Sequence, residues 1–302
     1  MTTKSPAAYG PQTAEPRKQT VPNIKSRKGG QPLVMVTAYD APSARVVDAA
    51  GAELILVGDS LAMVVLGYEN TLQVTLDDMV RHTAAVTRTK PHALVVADMP
   101  YMTYHTGARD AVLAAGRLVR EGCAEAVKLE GGRKRVDVVR AIVDAEIPVM
   151  GHVGLTPQSL LAMGGFRVQG RAVEEVENLV RDARALVEAG VFSIVLEGIP
   201  ADVAAMITRE VAVPTIGIGA GAGCDGQVLV YHDLLGMFPG PQPKFVRRYA
   251  ELHDAAVDAV RRYADDVRAR AFPSAAESYR LPREVAEALR DRARDRARAW
   301  EA

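Results

Sequence analysis

Residues 49–59, with the sequence AAGAELILVGD, contain the pattern that decides the fold of this chain. The same order recurs in REGCAEAVKLE at 120–130 and in EAGVFSIVLE at 188–197: the end of a helix, a glycine, a short apolar run and a carboxylate. One glycine in each segment fits the left-handed position that ends a helix. These glycines are Gly51, Gly122 and Gly190. Each apolar run suits a strand that is buried on both faces, so the sequence predicts repeated helix–turn–strand units.

Five further apolar runs bring the number of candidate strands to eight. They are residues 32–38, 93–98, 147–152, 213–219 and, more weakly, 228–232. The stretches between the runs are long enough for helical crossovers, as a (β/α)8 barrel requires. An open, doubly wound sheet is the structural alternative, but no GxGxxG sequence opens a helix after the first strand. We therefore predict an α/β protein whose fold is a (β/α)8 TIM barrel.

The composition excludes several classes of protein. The 37 basic residues balance 37 acidic ones, so the chain has no overall basic field that would hold a nucleic acid. The longest apolar stretch, residues 54–68, is interrupted by Asp59 and is shorter than the roughly 18 residues of a membrane span. The first thirty residues lack the apolar core of a signal peptide. Because the two cysteines cannot form a disulfide framework, we expect a soluble, cytoplasmic protein with no membrane partner.

The two ends of the chain differ in composition from its centre. Four prolines and the absence of apolar periodicity near the N-terminus predict a flexible tail over residues 1–22. Residues 282–302 are rich in charge, and opposite charges lie three residues apart, a spacing that supports a solvated helix. The pairs are Glu287/Arg290, Asp291/Arg294 and Asp295/Arg298. The predicted organisation is therefore this tail, a barrel over residues 23–275 and an extra C-terminal helical extension over residues 276–302.

Four carboxylates stand at the carboxyl ends of predicted strands. They are Asp59, Asp98, Glu130 and Glu197. In a barrel these strand ends converge on one mouth, where the active sites of this fold are built. Crowded carboxylates repel one another and resist desolvation, so the cluster needs a cation or raised pKa values. Oxygen ligands select a hard cation, which makes Mg²⁺ the simplest candidate. The structural alternative is that each acid caps the helix that follows it.

Two more polar residues belong to the same predicted mouth. Lys128 lies two residues before Glu130 and therefore on the same face of the strand, where it could neutralise the acids or hold an anionic substrate. His152 ends another predicted strand and precedes Thr156-Pro157, which has the form of a helix start. We predict a polar contact of His152 in the pocket. A plain salt bridge for Lys128 and a structural role for His152 are the alternatives.

Seven short blocks of this chain are similar, in sequence and in order, to those of one known family. They are VTAYD at 36–40, LVGDSL at 56–61, ADMP at 97–100, VKLEGG at 127–132, GHVGLTPQ at 151–158, GGFRVQG at 164–170 and IGIGAG at 216–221. On these blocks the chain resembles the ketopantoate hydroxymethyltransferase family over about residues 23–275. The resemblance implies a barrel enzyme that transfers a hydroxymethyl group from 5,10-methylenetetrahydrofolate to 3-methyl-2-oxobutanoate. The product is 2-dehydropantoate, on the route to pantothenate and coenzyme A.

The resemblance also implies roles for individual residues. Asp59, Asp98 and Glu130 correspond to the positions that bind Mg²⁺, and Glu197 corresponds to the general base. Ser60 and Lys128 correspond to contacts with the keto acid, and we expect Asp59, Asp98 and His152 to contact it as well. Bound Mg²⁺ would stabilise the enolate that forms when a proton leaves C3 of the substrate. The family further implies a cytoplasmic homo-oligomer, commonly a decamer.

Two other functions fit the same pattern of residues. A metal-dependent carbon–carbon lyase of the phosphoenolpyruvate mutase type would use a similar barrel and similar enolate chemistry, but without folate. A barrel that binds a keto acid without catalysis would keep the metal cluster, but it would not exchange the proton at C3. Product identification with Mg²⁺, the keto acid and the folate donor distinguishes these hypotheses.

Overall fold

Eight parallel strands close into a barrel in the order of the sequence, with β8 paired to β1. The computed structural model describes residues 17–165, 167–240 and 242–300. The strands are β1 (Leu33–Thr37), β2 (Leu54–Val57), β3 (Leu94–Asp98), β4 (Ala126–Glu130), β5 (Val149–Gly154), β6 (Ser193–Glu197), β7 (Thr215–Ile218) and β8 (Gly226–Leu229). Helices connect consecutive strands from β1 to β7 on the outside of the barrel, whereas a loop over residues 219–225 joins β7 to β8. The predicted (β/α)8 TIM barrel is confirmed.

The helices fall into two compact units, one ending at Ala250 and one beginning at Glu251. Those of the first unit are α1 (Val21–Lys25), α2 (Ala41–Ala49), α3 (Leu61–Val64), α4 (Leu76–Thr87), α5 (Ala108–Arg120), α6 (Val136–Asp144), α7 (Leu160–Met163), α8 (Val173–Glu188), α9 (Ala201–Glu210) and α10 (Tyr231–Leu234). The second unit contains α11 (Leu252–Arg268) and α12 (Arg283–Trp300). In the described part of the chain, no helix has both the length and the apolar content that crossing a membrane would require.

Side chains alternate along the strands between two buried layers. On β2, Leu54 and Leu56 belong to the cluster inside the barrel, whereas Ile55 and Val57 pack in the larger cluster that includes the helices. On β4, Ala126 lies in the inner cluster and Val127 in the outer one. This period of two explains why the predicted strands are continuous apolar runs, since both faces are buried.

The repeated glycines end their helices in two of the three segments. Gly51 and Gly190 adopt left-handed conformations, with φ of 82° and 102°, as predicted. The prediction for Gly122 is wrong, because Cys123 takes the left-handed position instead, with φ of 56°. A Cβ on Gly122 would lie 2.5 Å from the carbonyl oxygen of Leu118, so this glycine is needed for close approach to the end of α5 and not for a positive φ.

The last strand lies earlier than the sequence predicts. The apolar residues at 228–232 indicated a strand there, but β8 runs from Gly226 to Leu229, and Tyr231 and His232 begin α10. Gly226 pairs with Leu33 in register, and a Cβ on it would lie 2.6 Å from the Leu33 carbonyl oxygen. Gly226 and the exposed Gln227 have no apolar side chain, so hydrophobicity does not indicate the start of this strand.

The predicted ends of the chain are described only in part. Residues 1–16 of the predicted tail lie outside the described residues. Residues 17–22 are attached to the barrel, because the backbone N–H of Gln19 donates to the His92 carbonyl at 2.7 Å. The charge-rich C-terminal segment forms α12, in agreement with its pattern. Asp291 and Arg294 pair as predicted at 3.9 Å, but Glu287 pairs with Arg283. The Asp295/Arg298 pair involves a side chain outside the described residues.

Candidate active site

On each of four strands, the series of side chains that point into the barrel ends in polar residues at the mouth. The alternation that places Ala126 and Met150 inside the barrel continues to Lys128, Glu130 and His152 at the carboxyl ends of β4 and β5. Asp98 and Glu197 follow Val96 and Val195 on β3 and β6 in the same way. The predicted site residues therefore do come together, because barrel closure brings these strand ends to one pocket.

Asp59 and Ser60 follow β2 and lie beside the end of β3. The backbone N–H of Asp59 donates to Oδ2 of Asp98 at 3.0 Å, and the Ser60 hydroxyl lies 2.8 Å from the hydroxyl of Tyr39. A Cβ on Gly58 would lie 2.8 Å from Ser60 Oγ and 3.6 Å from Asp98 Oδ2, so the absence of a side chain at Gly58 permits this close approach. Tyr39, which follows β1, is not among the site residues predicted from the sequence.

Lys128 is fully enclosed by the acids of the pocket. Its ammonium group lies 2.9 Å from Oδ1 of Asp98 and 3.3 Å from Nδ1 of His152. Burial lowers the pKa of Lys128, but the negative charges of Asp98, Glu130 and Asp59 outweigh burial and raise it above its usual value. Lys128 is therefore a permanent cation in this site, and one oxygen of Asp98 is engaged by it.

His152 lies between the ammonium group of Lys128 and the carboxylate of Glu197, the predicted base. Burial, together with the positive charge of Lys128, lowers the pKa of His152, so the imidazole is neutral near pH 7. Since Lys128 can only donate, Nδ1 of His152 is the acceptor, and Nε2 carries the hydrogen that faces Glu197. The distance from Nε2 to Oε2 of Glu197 is 3.3 Å. The Glu197 side chain keeps 17% of its exposure, which makes it the most accessible acid of the pocket.

Gln158 links two of the acids, and sequence analysis gave it no role. Its side-chain amide donates to Oδ2 of Asp59 at 2.8 Å and to the Met99 carbonyl at 3.0 Å, while its backbone N–H donates to Oε2 of Glu130 at 3.0 Å. The hydroxyl of Tyr104 donates to Gln158 Oε1 at 2.6 Å and accepts from the backbone N–H of Glu130 at 3.2 Å. Only the position of Gln158 inside the GHVGLTPQ block hinted at this contact.

The four acids of the pocket would, if all were ionised, carry more negative charge than its one lysine balances. Burial and the negative charge of Asp98 raise the pKa of Asp59 to about 7, and burial and the charge of Asp59 raise the pKa of Glu130 well above its usual range. A set of buried carboxylate oxygens with uncompensated charge fits a hard divalent cation. In the described residues, however, no three His, Cys, Asp or Glu side chains are already arranged as a metal site. Lys128 engages one oxygen of Asp98, and Gln158 engages one oxygen of Asp59 and one of Glu130.

Asp59 gives the metal-free protein a distinctive dependence of stability on pH. Its pKa is 3.8 in the absence of the fold and about 7 in the folded chain, so protonation of Asp59 favours folding. The contribution of Asp59 to the free energy of unfolding is therefore complete below pH 4 and is lost as the pH rises through 7. We expect Asp59→Asn to become increasingly more stable than the parent over this range. Thermal unfolding of both metal-free proteins between pH 4 and pH 7 measures this difference in stability. A stability difference that does not change with pH would contradict the raised pKa of Asp59.

Comparison with known proteins identifies the family. The family model described as ketopantoate hydroxymethyltransferase matches residues 18–275. This chain belongs to the ketopantoate hydroxymethyltransferase family. The matched range covers every residue of the pocket described above, and it confirms the family that the seven sequence blocks indicate.

Curated members of this family are similar to the chain over most of its length. The 3-methyl-2-oxobutanoate hydroxymethyltransferase of Moorella thermoacetica is 58% identical over 268 residues, which is 88% of this chain and 100% of that protein. The protein of the same name from Koribacter versatilis is 56% identical over 254 residues, covering 84% of this chain and 86% of the relative. The chain is therefore an enzyme of the hydroxymethyltransferase family.

Solved structures with low sequence identity share the fold. A 2,3-dimethylmalate lyase of the phosphoenolpyruvate mutase/isocitrate lyase superfamily has a TM-score of 0.54 at 19% identity, covering 92% of this chain and 98% of the lyase. Phosphonopyruvate hydrolase in complex with oxalate and Mg²⁺ has a TM-score of 0.56 at 16% identity, and the match covers 94% of this chain and 98% of the hydrolase. At such identities the likeness extends to the barrel architecture and not to the reaction.

Proposed function

We propose that this enzyme combines 5,10-methylenetetrahydrofolate, 3-methyl-2-oxobutanoate and one water, so that the one-carbon unit of the folate is transferred as a hydroxymethyl group whose hydroxyl oxygen comes from the water, and 2-dehydropantoate and tetrahydrofolate are released. One observation carries the proposal. A partly exposed carboxylate, Glu197, lies 3.3 Å from a buried neutral imidazole, in a pocket that also contains a buried lysine and three more acids. Such a pocket combines a base with groups that hold an anionic keto acid, and the relatives that match most of the chain carry the name of this activity.

Mg²⁺ is the cation that we propose for this pocket, held by Asp59, Asp98 and Glu130. Its donors would be the hard oxygen ligands that this ion prefers, and their raised pKa values at Asp59 and Glu130 reflect charge that a cation would compensate. When bound, Mg²⁺ would supply a Lewis acid that draws negative charge away from C3 of the keto acid.

The protein side chains have separate tasks in this reaction. Lys128 provides the positive charge that attracts the substrate carboxylate. The Ser60 hydroxyl, which is positioned by its 2.8 Å hydrogen bond with Tyr39, is the second group that we propose to contact the keto acid. Glu197 takes the proton from C3, and C3 then attacks the one-carbon unit of the folate. His152 orients the Glu197 carboxylate, because Nε2 of the neutral imidazole faces Oε2 of Glu197 at 3.3 Å.

Product identification tests this proposal directly. The full chain is mixed with Mg²⁺, 3-methyl-2-oxobutanoate and 5,10-methylenetetrahydrofolate, and we expect 2-dehydropantoate and tetrahydrofolate to form in equal amounts. Omission of the folate should leave the keto acid intact apart from exchange at C3. Carbon–carbon cleavage of a hydroxy diacid such as 2,3-dimethylmalate, without folate, would instead support the lyase hypothesis. Tight keto-acid binding with neither product nor exchange would support a binding protein.

We also propose that the enzyme is a cytoplasmic homo-oligomer, a decamer as the family resemblance implies. The support for self-association is an apolar row on α11 that repeats every three or four residues. It consists of Val257, Val260, Tyr263 and Val267. The support for a reducing compartment is that Cys123 and Cys224 are both free thiols. Sedimentation of the full chain measures the number of subunits.

A further inference from the structure

Gln158 is buried at the centre of the pocket with every polar side-chain atom bonded. It lies in the single helical turn Pro157–Ser159 after β5 and is 5% exposed. The Nε2 group has two acceptors, Asp59 Oδ2 and the Met99 carbonyl, and Oε1 accepts from the Tyr104 hydroxyl. The opposite orientation of the amide would place its oxygen against two other acceptors. The amide therefore has one allowed orientation, and Tyr104 helps to fix it.

The same residue reaches two acids that are far apart in the sequence. The amide of Gln158 holds Asp59, which follows β2, and its backbone N–H holds Glu130 at the end of β4. The third acid, Asp98, is held by Lys128. Asp59 and Glu130 thus each have a fixed donor on one oxygen, whereas Asp98 has Lys128 on Oδ1 and the backbone N–H of Asp59 on Oδ2.

Neutral N–H donors are better suited than a second lysine to hold two carboxylates at a cation site. Two buried carboxylates repel each other, and N–H donors stabilise their charge without adding a positive charge that would repel a cation. A carboxylate has two oxygens, so a single donor leaves the other oxygen available as a ligand. Asp59 Oδ1 and Glu130 Oε1 are the oxygens that Gln158 leaves available.

We propose that Gln158 is a positioning residue, which restrains Asp59 and Glu130 through one oxygen each, so that their other oxygens can turn towards a divalent cation when it binds. This inference rests on the proposed function, because that function requires the cation. Gln158 touches neither the substrate nor the reacting atoms in this scheme. Tyr104 supports it by fixing the orientation of the amide.

The variant Gln158→Met tests the proposal, since methionine has a similar length but no donors. The full-length protein is stripped of metal and titrated with Mg²⁺ alone in a calorimeter. We expect the Kd for Mg²⁺ to rise about 10- to 100-fold, the usual effect of losing a partner behind a metal ligand. Excess Mg²⁺ should then restore much of kcat, which loss of folding would not allow. Gln227→Met is the matched control, because Gln227 is exposed and donates to the Gly221 carbonyl outside the acid pocket.

Tyr104→Phe provides a second, milder test if methionine at position 158 prevents folding, which circular dichroism would reveal. It removes only the hydroxyl that orients the amide, and we expect a rise in the Mg²⁺ Kd of about 3- to 10-fold, as for a neutral hydrogen bond. An unchanged Kd in either folded variant would overturn the inference and leave the transfer reaction untouched. Failure of the unmutated protein to bind Mg²⁺ would overturn the inference together with the metal-dependent mechanism.

Discussion

Replacing Glu197 by glutamine is expected to abolish hydroxymethyl transfer and proton exchange at C3 together. Glutamine keeps the size of the side chain and an amide oxygen that can face Nε2 of His152, but it removes the basic carboxylate. The expected loss of rate is about 10² to 10⁴, the usual contribution of a general base. Binding of the keto acid and of Mg²⁺ should be retained, because Glu197 is not among the residues proposed to hold them.

The exchange measurement separates proton removal from the transfer step. In D₂O, nuclear magnetic resonance follows the C3 hydrogen of 3-methyl-2-oxobutanoate without folate, and the 17% exposure of Glu197 gives its proton a route to solvent. Glu188→Gln is the control, since Glu188 is exposed at the end of α8. Full transfer by Glu197→Gln would exclude Glu197 as the base and make His152 the next candidate.

Removing the divalent cation is expected to stop turnover, and Mg²⁺ should restore it. The Lewis-acid contribution of a cation is several kcal/mol, so we expect a loss of about 10³-fold or more in kcat. Asp98→Ala and Glu130→Ala should lower both kcat and the affinity for Mg²⁺. Asp98→Ala also leaves the buried Lys128 without its partner at 2.9 Å, so this variant should be the less stable of the two.

A control variant distinguishes metal loss from a general effect of removing charge. Asp137→Ala deletes a carboxylate whose side chain is 97% exposed, so turnover and Mg²⁺ affinity should stay at the level of the parent. Turnover is measured after dialysis against a chelator and again after addition of Mg²⁺. Full activity of the metal-stripped parent would contradict the assignment of a metal to Asp59, Asp98 and Glu130.

The barrel could be predicted because its strands are buried on both faces and therefore appear as apolar runs. The runs that contain β2 and β4 end in Asp59 and Glu130, and the fold rule that strand ends meet at one mouth then placed these acids together. The prediction was wrong where the signal was weak. The run at 228–232 misplaced β8, since the strand begins at Gly226, whose contribution is close packing against Leu33 and not hydrophobicity.

The contacts within the pocket could not be predicted from the sequence. Asp59 and Gln158 are 99 residues apart, and nothing local to either position indicates that an amide donates to that carboxylate. The same holds for Lys128, because nothing in the local sequence indicates that its ammonium group lies 2.9 Å from Asp98. Hydrogen bonds of this kind depend on which strand ends become neighbours and how far each side chain extends.

By itself, the sequence determined the α/β class, the barrel, the family and the acids that line its mouth. The class, the barrel and the acids follow from short-range features, namely apolar periodicity and the residue that ends each strand, whereas the family follows from the resemblance of seven short blocks. The tertiary structure alone decided the electrostatic state of the pocket: the neutral His152 and the raised pKa values of Asp59 and Glu130. Those states arise from burial and from charges brought close by barrel closure, and neither quantity exists in the linear chain.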